Sequence, residues 1–409
     1  MSGRNHRVGQ IKGDRSTVGF EFVGVVGKQH QCRHTDLFPS GFNHLTPQML
    51  PLAVQAAMAA IEKICPEAKN LLLVPGNRTG DSFYLSSVQH LVQVFTQAGL
   101  NVRLGTLDDG VKAPTALALP DGSELVVEPI LRTRGRLGLK DFDPCTILLN
   151  NDLVAGAPRA LQHLNEQYLL PPLHAGWAVR LKSQHLRSYE EVAKKFAKLL
   201  GMDPWLINPL FGSTGEVDLS SAQGMEALAT QADAVLTKVR RKYKEYGISD
   251  KPFVVLKANQ GGDGDGILVL RDAKALDPQH GGLGARLRER LGAQPQTANT
   301  QIVVQEGVPT LERIHSAVAE PVVCMIDRYV VGGYYRVHAE RGADEDLCGP
   351  GGSYVPLAFA ESSQLPRPGA KPGANAPNRF YMYGVIARLA MLAASYELEA
   401  TDPDAENFD

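Results

Sequence analysis

A dense run of glycines between two β-rich segments constrains the fold of this chain more than any other feature. Residues 253–270 have the sequence FVVLKANQGGDGDGILVL, in which one β-rich run ends at Lys257 and a second begins after the glycines. In a Walker A loop a Gly-Lys-Ser/Thr sequence opens a helix, and in a Rossmann fingerprint the glycine turn also leads into a helix. This segment instead predicts two strands joined by a glycine-rich turn.

The composition of this turn suits phosphate binding. Glycine allows backbone N–H groups to approach phosphate oxygens closely, and a lysine on the preceding strand can reach the same oxygens. The segment therefore predicts a lid over a nucleotide, with the candidate ligands Lys257, Gly261, Gly262, Gly264 and Gly266. A plain glycine-rich hairpin is the alternative, which Asp263 and Asp265 favour because their carboxylates would repel a triphosphate.

A turn after a later β-rich run extends the candidate nucleotide site. In the segment VVQEGVPTLER, exposed backbone groups can pair with an adenine edge, and a glutamate can accept bonds from ribose hydroxyls. The candidates in this turn are Gln305, Glu306, Val308 and Glu312. An ordinary strand end is the alternative interpretation.

The segment PVVCMIDRYVVGGYYRVH predicts two strands joined by a tight hairpin at Asp327-Arg328. Two-residue alternation places Arg336 and His338 on one face of the second strand. Arg336 is a candidate catalytic clamp for a transferred phosphoryl group or an acyl phosphate, because its guanidinium fork matches such oxygens. A surface ion pair is the alternative for Arg336, and His338 is interpreted as a packed histidine. Lys257 is the other catalytic candidate.

The hydrophobic pattern predicts an α/β chain, α+β in its second half, with three regions. Residues 1–155 alternate strands with helices over 47–64 and 81–98, which predicts a domain built on a parallel sheet. Residues 156–250 are predicted to be a mostly helical connecting or substrate region, with helices over 188–200 and 222–246. Residues 251–409 are predicted to form the nucleotide-binding region, a mixed or antiparallel sheet followed by a last helix over 379–396.

Seven polar residues outside these segments are candidates for binding substrate: Asn150, Asn151, Asp152, His174, Arg180, Asn43 and Arg78. The first three follow a β-rich run, and the carboxyl ends of strands in open α/β sheets face the ligand crevice. His174 and Arg180 flank a tryptophan, Asn43 follows a Pro-Ser-Gly turn, and Arg78 precedes a predicted helix, whose N-terminus favours anions. The structural alternatives are an Asx-turn, a packed histidine, turn chemistry and a solvated arginine.

Bulk composition limits the classes of partner. The chain has 409 residues with 42 basic and 44 acidic side chains, and this balance predicts neither a nucleic-acid nor a membrane partner. The sequence has no apolar run of membrane-spanning length, and the N-terminal segment lacks the apolar core of a secretory signal. The five cysteines are widely spaced without a Cys-x-x-Cys pair, which predicts a cytoplasmic protein without a disulfide framework or structural zinc.

Eight segments of the chain resemble the proteobacterial glutamate–cysteine ligase family, of the type first assigned in iron-oxidising bacteria. They are DLFPSGFNHL, ELVVEP, DFDPCTILLNNDL, LLPPLHAGWAVRLKS, MDPWLINPLF, VVQEGVPTLER, AEPVVCMIDRYVVGGYYRVHAERG and PNRFYMYGVIARLAMLAA. The resemblance implies a glutathione-synthetase-like ATP-grasp fold preceded by a parallel-sheet domain. It implies ATP-dependent ligation of the γ-carboxylate of L-glutamate, through an acyl phosphate, to L-cysteine. The product would be γ-glutamylcysteine, in the first step of glutathione biosynthesis.

The resemblance also implies ATP and Mg²⁺ as cofactors, glutamate and cysteine as small-molecule partners, and leaves room for a homo-oligomer. ATP-grasp enzymes usually hold magnesium on late carboxylates in a Glu-x-Asn pattern, which is not found here. The nearest candidate ligands are Asp327, Glu397 and Glu399, with a solvated acidic tail as the alternative for the last two. Two alternative functions stay open: another carboxylate–amine ligase with a different substrate pair, and a non-catalytic nucleotide-binding relative.

Overall fold

The computed structural model describes residues 35–39, 41–76, 78, 80–164, 166–261, 268–277, 285–287, 289, 299–310, 312–345, 347, 351–357 and 379–403. The predicted loop ligands Gly262, Gly264 and Gly266 lie outside these residues, and nothing is said of their structure. The described part of the chain is mixed α/β, as the sequence predicts, with three main sheets and helices packed against them.

The N-terminal half builds a largely parallel sheet. Its helices and strands are α1 (Leu50–Ile64), β1 (Asn70–Pro75), α2 (Ser82–Gln97), β2 (Asn101–Thr106), β3 (Thr115–Ala118), β4 (Glu124–Pro129), β5 (Leu131–Thr133), β6 (Arg136–Gly138), β7 (Thr146–Asn150) and β8 (Tyr168–Leu170). Six strands form the sheet in the order β3-β4-β2-β1-β7-β8, with only β3 antiparallel, while β5 and β6 form a separate hairpin. The predicted parallel-sheet fold is confirmed.

The second sheet contains the predicted strand–turn–strand unit. Its elements and the preceding helix are α3 (Lys182–Leu200), β9 (Phe211–Asp218), α4 (Ala222–Tyr246), β10 (Val254–Ala258), β11 (Leu268–Leu270) and β12 (Asn299–Glu306). The strands are antiparallel in the order β11-β10-β12-β9. Alternate side chains of the central strands, including Val254, Leu256 and Val304, pack in one cluster with Leu228 and Val235 of α4.

The third sheet is antiparallel and is covered on both faces. It consists of β13 (Arg313–Ile314), β14 (Ala317–Ile326), β15 (Tyr329–His338) and β16 (Gly352–Pro356), and the chain then reaches α5 (Arg379–Ala400). Val322 and Cys324 belong to a core with α1 and α2, whereas Val323 and Met325 belong to a core with α3 and α5. This two-residue alternation buries β14 on both sides and fixes the third sheet against the first domain.

Several boundaries differ from the sequence expectation. Helix α1 begins at Leu50 rather than at residue 47, with a proline in its first turn, and residues 47–49 form a turn. Helix α3 begins at Lys182, six residues before the predicted start, and α5 continues to Ala400. The region 156–250 contains the two predicted helices and also two strands that the sequence did not predict. Of these, β8 joins the first sheet and β9 the second.

The early start of α3 has an identifiable cause. The helix lacks a capping side chain of its own, because the residue before its first turn is Leu181. Its first amides are instead satisfied by Asn259 at the end of β10: Lys182 N donates to the Asn259 carbonyl at 2.9 Å, and Ser183 N donates to Asn259 Oδ1 at 2.8 Å. A side chain distant in sequence thus performs the capping function that a local residue usually supplies.

None of the helices within the described ranges is both long enough and apolar enough to cross a lipid bilayer.

Candidate active site

Lys257 lies on β10 and points to the neighbouring strand β12. Its Nζ donates a hydrogen bond to Gln305 Oε1 at 2.9 Å, and the side chain is almost completely buried. The two residues were independent predictions for nucleotide binding, and the antiparallel pairing of β10 with β12 brings them together. The contact with Gln305 fixes the position of the Lys257 ammonium group between β10 and β12.

The first residues of the glycine-rich turn are held by the segment that leads into α3. Lys182 Nζ donates to the carbonyls of Gln260 and Gly261, and Gly261 N donates to the carbonyl of Trp177 at 3.2 Å. The Lys182 ammonium also lies 5.1 Å from the centre of the Trp177 ring. Gly261, a predicted phosphate ligand, is therefore fixed in place at the base of the turn.

A buried ionic cluster joins this segment to α5. Arg180 donates to both carboxylate oxygens of Glu397 at 2.8 Å, and His185 Nδ1 lies 2.8 Å from the same carboxylate. Burial alone would raise the pKa of Glu397, but the charge and hydrogen bonds of Arg180, with His185, lower it to about 2. Burial is also the main cause that lowers the pKa of His185, so this imidazole is neutral near pH 7 and donates from Nδ1.

We expect replacement of Glu397 by Gln to lower stability in a pH-dependent way. The folded pKa of about 2 lies below the ordinary value of 4.5, so the carboxylate stabilises the folded state above pH 4.5. That contribution, on the order of 3 kcal/mol, is lost as the pH falls from 4.5 towards 2. Urea unfolding at pH 7, 4 and 3 measures it. Glu399→Gln, which alters an exposed carboxylate on the same helix, is the control. A Glu397→Gln deficit that does not shrink with acidification would contradict the assignment.

The carboxyl edge of the first sheet continues the site from the glycine-rich turn. Trp177 N donates to the backbone carbonyl of Asp152 at 3.0 Å, just beyond the end of β7. Two residues earlier, Asn150 Nδ2 donates to the carbonyl of Pro39. The chain from Pro39 turns at Gly41, whose φ of 72° suits glycine and where a Cβ would lie 2.6 Å from the Tyr334 hydroxyl. These contacts join the turn, β7 and β15 into one continuous region.

Arg336 lies at the end of this region that is farthest from the glycine-rich turn. It is almost completely buried on β15, and its Nη1 donates to Glu320 Oε1 at 2.5 Å on the paired strand β14. The surface ion pair considered from the sequence is therefore excluded in favour of a buried one. Arg336 also acts on His44: burial first, and then the arginine charge, lower the pKa of His44 to about 4.

An aromatic wall stands beside Arg336. The His44 ring stacks on Tyr354 at 4.2 Å between ring centres and contacts Tyr334 at 4.5 Å and Phe83 at 5.0 Å. Because its pKa is lowered to about 4, the His44 imidazole is neutral at physiological pH. The wall therefore supplies polar atoms without adding a second positive charge next to the arginine.

Four buried polar atoms in this part of the site have no hydrogen-bond partner within the part of the chain that the structure describes. They are Asn43 Oδ1, His44 Nε2, Asn150 Oδ1 and Tyr334 Oη. Buried polar atoms are normally paired, so such a set calls for an explanation. All four can act as hydrogen-bond acceptors, and the tyrosine hydroxyl can also donate. The set fits a polar ligand that brings its own donors and acceptors.

The remaining nucleotide candidates have internal partners. Glu306 Oε2 accepts bonds from Trp205 Nε1 at 3.2 Å and from Leu210 N at 2.8 Å, and the side chain is buried. The carboxylate that was predicted to contact ribose therefore already accepts two hydrogen bonds from within the protein. Glu312 is partly buried and accepts a bond from the Tyr383 hydroxyl. Val308 is half-buried in the segment after β12.

Three substrate candidates take structural roles. Asn151 Oδ1 accepts from Leu153 N at 3.0 Å, which is the Asx-turn named as the alternative. His174 Nε2 lies 3.2 Å from the carbonyl of Leu398, consistent with a packed histidine at the end of α5. Arg78 pairs with Asp81, the N-cap of α2, and lies over the Tyr84 ring at 5.4 Å. Arg180, as described above, is committed to Glu397.

The predicted metal ligands are not brought together. Asp327 occupies the tip of the β14–β15 hairpin, 3.9 Å from Lys63, and lies roughly 20 Å along the strand from Arg336. Glu397 is occupied by Arg180 and His185, and Glu399 is exposed. Among the residues that the structure describes, no group of three His, Cys, Asp or Glu side chains is placed to hold a metal ion. The structure therefore does not bring Asp327, Glu397 and Glu399 together as ligands of one metal ion.

Sequence reasoning missed three residues of the site, which are Asn259, Glu320 and Tyr334. Their neighbours in the sequence gave no signal, because each matters only through the other segment that it contacts. Trp177 and Lys182, near Arg180, and His44, next to Asn43, were considered from the sequence as neighbours of the chosen candidates.

Comparison with known proteins gives first the class and then the family of this chain. The structure is similar to the 1.90 Å crystal structure of a provisionally named gamma-glutamylcysteine synthetase from Methylobacillus flagellatus KT, with 46% sequence identity and a TM-score of 0.81. The match covers 89% of this chain and 85% of that chain, and the class it supports is a ligase. The family model of glutamate-cysteine ligase (GshA) matches residues 32–398, so the chain belongs to the glutamate–cysteine ligase family. It is accordingly an ATP-dependent enzyme that ligates glutamate to cysteine.

Two further comparisons add nothing to this assignment. A D-alanyl-alanine synthetase A from Vibrio cholerae O1 biovar eltor aligns over 81% of this chain at 10% identity, with a TM-score of 0.34, which is too low to support an argument. A search of curated protein sequences finds no match.

Proposed function

We propose that this site forms γ-glutamylcysteine through an acyl phosphate, with the ATP phosphates at Lys257 and Gly261 and the acyl group beside Arg336. The observation that carries the proposal is the continuous path of contacts from the glycine-rich turn through Trp177 and Asn150 to the third sheet. The antiparallel second and third sheets agree with the ATP-grasp architecture implied by the sequence resemblance. One site can then hold the phosphoryl donor and the carboxylate acceptor together.

The reaction divides into two transfers. A γ-carboxylate oxygen of glutamate attacks the γ-phosphorus of ATP, the bond to ADP breaks, and γ-glutamyl phosphate forms. The amine of cysteine then attacks the acyl carbon, phosphate leaves with the bonding electrons, and the amine loses a proton. Arg336 stabilises the negative charge that develops on the acyl phosphate oxygens. No enzyme nucleophile is required, and burial raises the pKa of the core thiol Cys324 to about 12, which suits a structural role.

The four atoms without a partner among the described residues form a cradle for an amino acid. The ammonium group of an amino acid carries three donors, which match the amide oxygens of Asn43 and Asn150 and the neutral His44 Nε2. The Tyr334 hydroxyl and the Arg336 guanidinium can donate to a carboxylate. We assign glutamate to this cradle, because glutamate brings two carboxylates and one ammonium group to a region with these donors and acceptors.

We expect Tyr334→Phe to raise the KM for glutamate about tenfold, since one hydrogen bond to a charged group is lost. The KM for ATP should stay within twofold, because the hydroxyl lies away from Lys257 along the contact path. Steady-state kinetics with each substrate varied in turn measures both constants. Tyr329→Phe, at the exposed start of the same strand, is the matched control. An unchanged KM for glutamate would remove Tyr334 from the cradle.

The divalent cation is a separate proposal. ATP-dependent ligases typically require one, and we propose Mg²⁺, entering with ATP. The candidate carboxylates Asp327, Glu397 and Glu399 are not placed to bind it, so no step is assigned to protein-bound magnesium. A titration of ADP release with Mg²⁺ in metal-depleted buffer tests the requirement. We also propose a cytoplasmic location and a homo-oligomer, and sedimentation velocity tests the oligomer.

The proposed reaction is tested by ADP release with each amino acid omitted. Full release should require glutamate and cysteine together. With glutamate and hydroxylamine in place of cysteine, γ-glutamyl hydroxamate should accumulate, because hydroxylamine captures an acyl phosphate. Release without any dependence on glutamate would refute the substrate assignment. Full activity with cysteine but no hydroxamate would refute the acyl phosphate.

A further inference from the structure

Two free cysteines lie in contact outside the candidate active site. Cys65 ends α1 and Cys145 directly precedes β7, and their Sγ atoms are 2.8 Å apart. They are 80 positions apart in sequence, so no local motif announces the pair. Both side chains are partly exposed, which allows a small reagent to reach them. The sequence had predicted no disulfide framework, and the structure brings these two thiols together nonetheless.

The pair is held in place by the fold rather than by chance loop geometry. Cys65 N donates to the carbonyl of Ile61 at 2.8 Å at the end of α1, and the Cys145 carbonyl accepts from Tyr168 N at 2.9 Å at the start of β8. Strands β1 and β7 are parallel, with Leu71 opposite Thr146, so both cysteines lie at the amino edge of the first sheet. The approach of the two sulfur atoms is thus set by two rigid elements.

We propose that Cys65 and Cys145 form a reversible dithiol–disulfide site whose oxidant is a hydroperoxide. The Cys65 thiol donates its hydrogen bond to Cys145 Sγ, and we assign the first attack on the peroxide to Cys145. The same hydrogen bond is the largest cause that raises the pKa of Cys65. Cys65 then acts as the resolving thiol. This inference does not rest on the proposed catalytic mechanism.

The chemistry balances with the peroxide as sole oxidant. The Cys145 thiolate attacks one peroxide oxygen, the O–O bond breaks, and a sulfenic acid and hydroxide form. The Cys65 sulfur then attacks the Cys145 sulfur, the S–O bond breaks, and hydroxide leaves, taking up the Cys65 proton as water. In total the two thiols lose two protons and two electrons, and one hydrogen peroxide becomes two waters.

The expected effect is on stability rather than on catalysis. The bond would close a loop that contains α2 and strands β1 to β6, and a cross-link over such a loop restricts the unfolded chain strongly. The candidate site lies at the opposite, carboxyl edge of the sheet, about 16 Å along β7 from Cys145. Oxidation should therefore raise the thermal midpoint by about 5–10 °C and leave ADP release within twofold.

The test treats the reduced full-length protein with stoichiometric hydrogen peroxide and maps its peptides without reduction. We expect one linked peptide pair containing Cys65 and Cys145, reversed by dithiothreitol, in the parent and in Cys324→Ser. Cys65→Ser should lose both the link and the thermal shift. If Cys65→Ser fails to fold, the link and the thermal shift are measured instead in Cys145→Ala and in the parent protein with and without dithiothreitol.

Three outcomes would overturn the proposal. The first is recovery of both thiols unchanged or as sulfinic acids, and the second is a bond from either cysteine to Cys32 or Cys348. The third is a linked protein whose ADP release is lost, because that would place the pair within the working parts of the active site. A linked, more stable and fully active protein would establish it.

Discussion

Lys257→Met should lower kcat/KM for ATP by about a thousandfold, since it removes a buried cation beside the base of the glycine-rich turn, where the ATP phosphates are proposed to bind. Methionine keeps the length and the apolar stem of the side chain, so β10 should pack as before. Gln305 Oε1 loses its donor, at a cost on the order of 1–3 kcal/mol in stability. Steady-state ADP release measures the change in kcat/KM, and isothermal titration measures the change in ATP affinity.

The control for this prediction is Lys274→Met. Lys274 is an exposed lysine in the short 3-10 helix (Ala273–Leu276) that follows β11, and its loss should change ADP release less than twofold. Circular dichroism and the thermal midpoint establish that both variants are folded. If folded Lys257→Met turned over ATP within threefold of the parent, Lys257 would not contact the phosphates, and the plain-hairpin interpretation of the segment would return.

Arg336→Lys should lower kcat by about a hundredfold while ATP binding stays close to that of the parent. Lysine keeps the positive charge opposite Glu320 but loses the planar fork that can bind two oxygens at once. The interaction with the acyl phosphate is realised mainly in the transition state, so its loss appears in kcat rather than in ATP affinity. Single-turnover measurement of ADP formation, together with calorimetry, separates the two.

A second variant distinguishes loss of catalysis from loss of folding. Arg336→Met alone would leave Glu320 buried without its partner, at a cost of about 3–5 kcal/mol. The double variant Arg336→Met with Glu320→Gln removes both charges and should fold yet remain inactive. Arg313→Lys, on the exposed β13 strand of the same sheet, is the control and should be fully active. An active double variant would show that Arg336 serves only as the partner of Glu320.

The sequence predicted best what is decided locally. The glycine-rich segment gave a correct pair of antiparallel strands, because β-rich runs and glycine turns act within a few residues. Asp81 caps α2 at the predicted boundary, and Gly247 ends α4 in the left-handed conformation at the predicted stop. The contact between Lys257 and Gln305, by contrast, was not predicted and is seen only in the pairing of β10 with β12.

Contacts between distant segments were beyond such reasoning. If β14 and β15 paired regularly from the turn at Asp327-Arg328, Ala319 would lie opposite Arg336. A β-bulge near Cys324 and Met325 adds one residue to β15, and Glu320 takes that position instead. No local feature of residues 317–338 predicts this shift. Without the bulge, no carboxylate would face the buried arginine, and the ion pair between Arg336 and Glu320 would not form.

The metal assignments failed to converge for a related reason. Acidic residues late in a chain were chosen by their type, and type alone does not distinguish a ligand from the partner of a cation. Glu397 is the partner of Arg180, and the hairpin tip carries Asp327 away from the site. His174 and Asn151 show the same limit, because their sequence neighbours suggested ligands while their hydrogen bonds are backbone contacts.

The pairing of Arg180 with Glu397 also bears on how this protein is made. The two residues are separated by 217 positions, so the arginine leaves the ribosome long before its carboxylate has been synthesised. Until then a guanidinium destined for the interior has no anionic partner there, and burying it early would be costly. The segment around Trp177 and the base of the glycine-rich turn should therefore stay hydrated during translation. These segments should pack only after α5 has been synthesised. The catalytic region should therefore be one of the last parts of the nascent chain to fold.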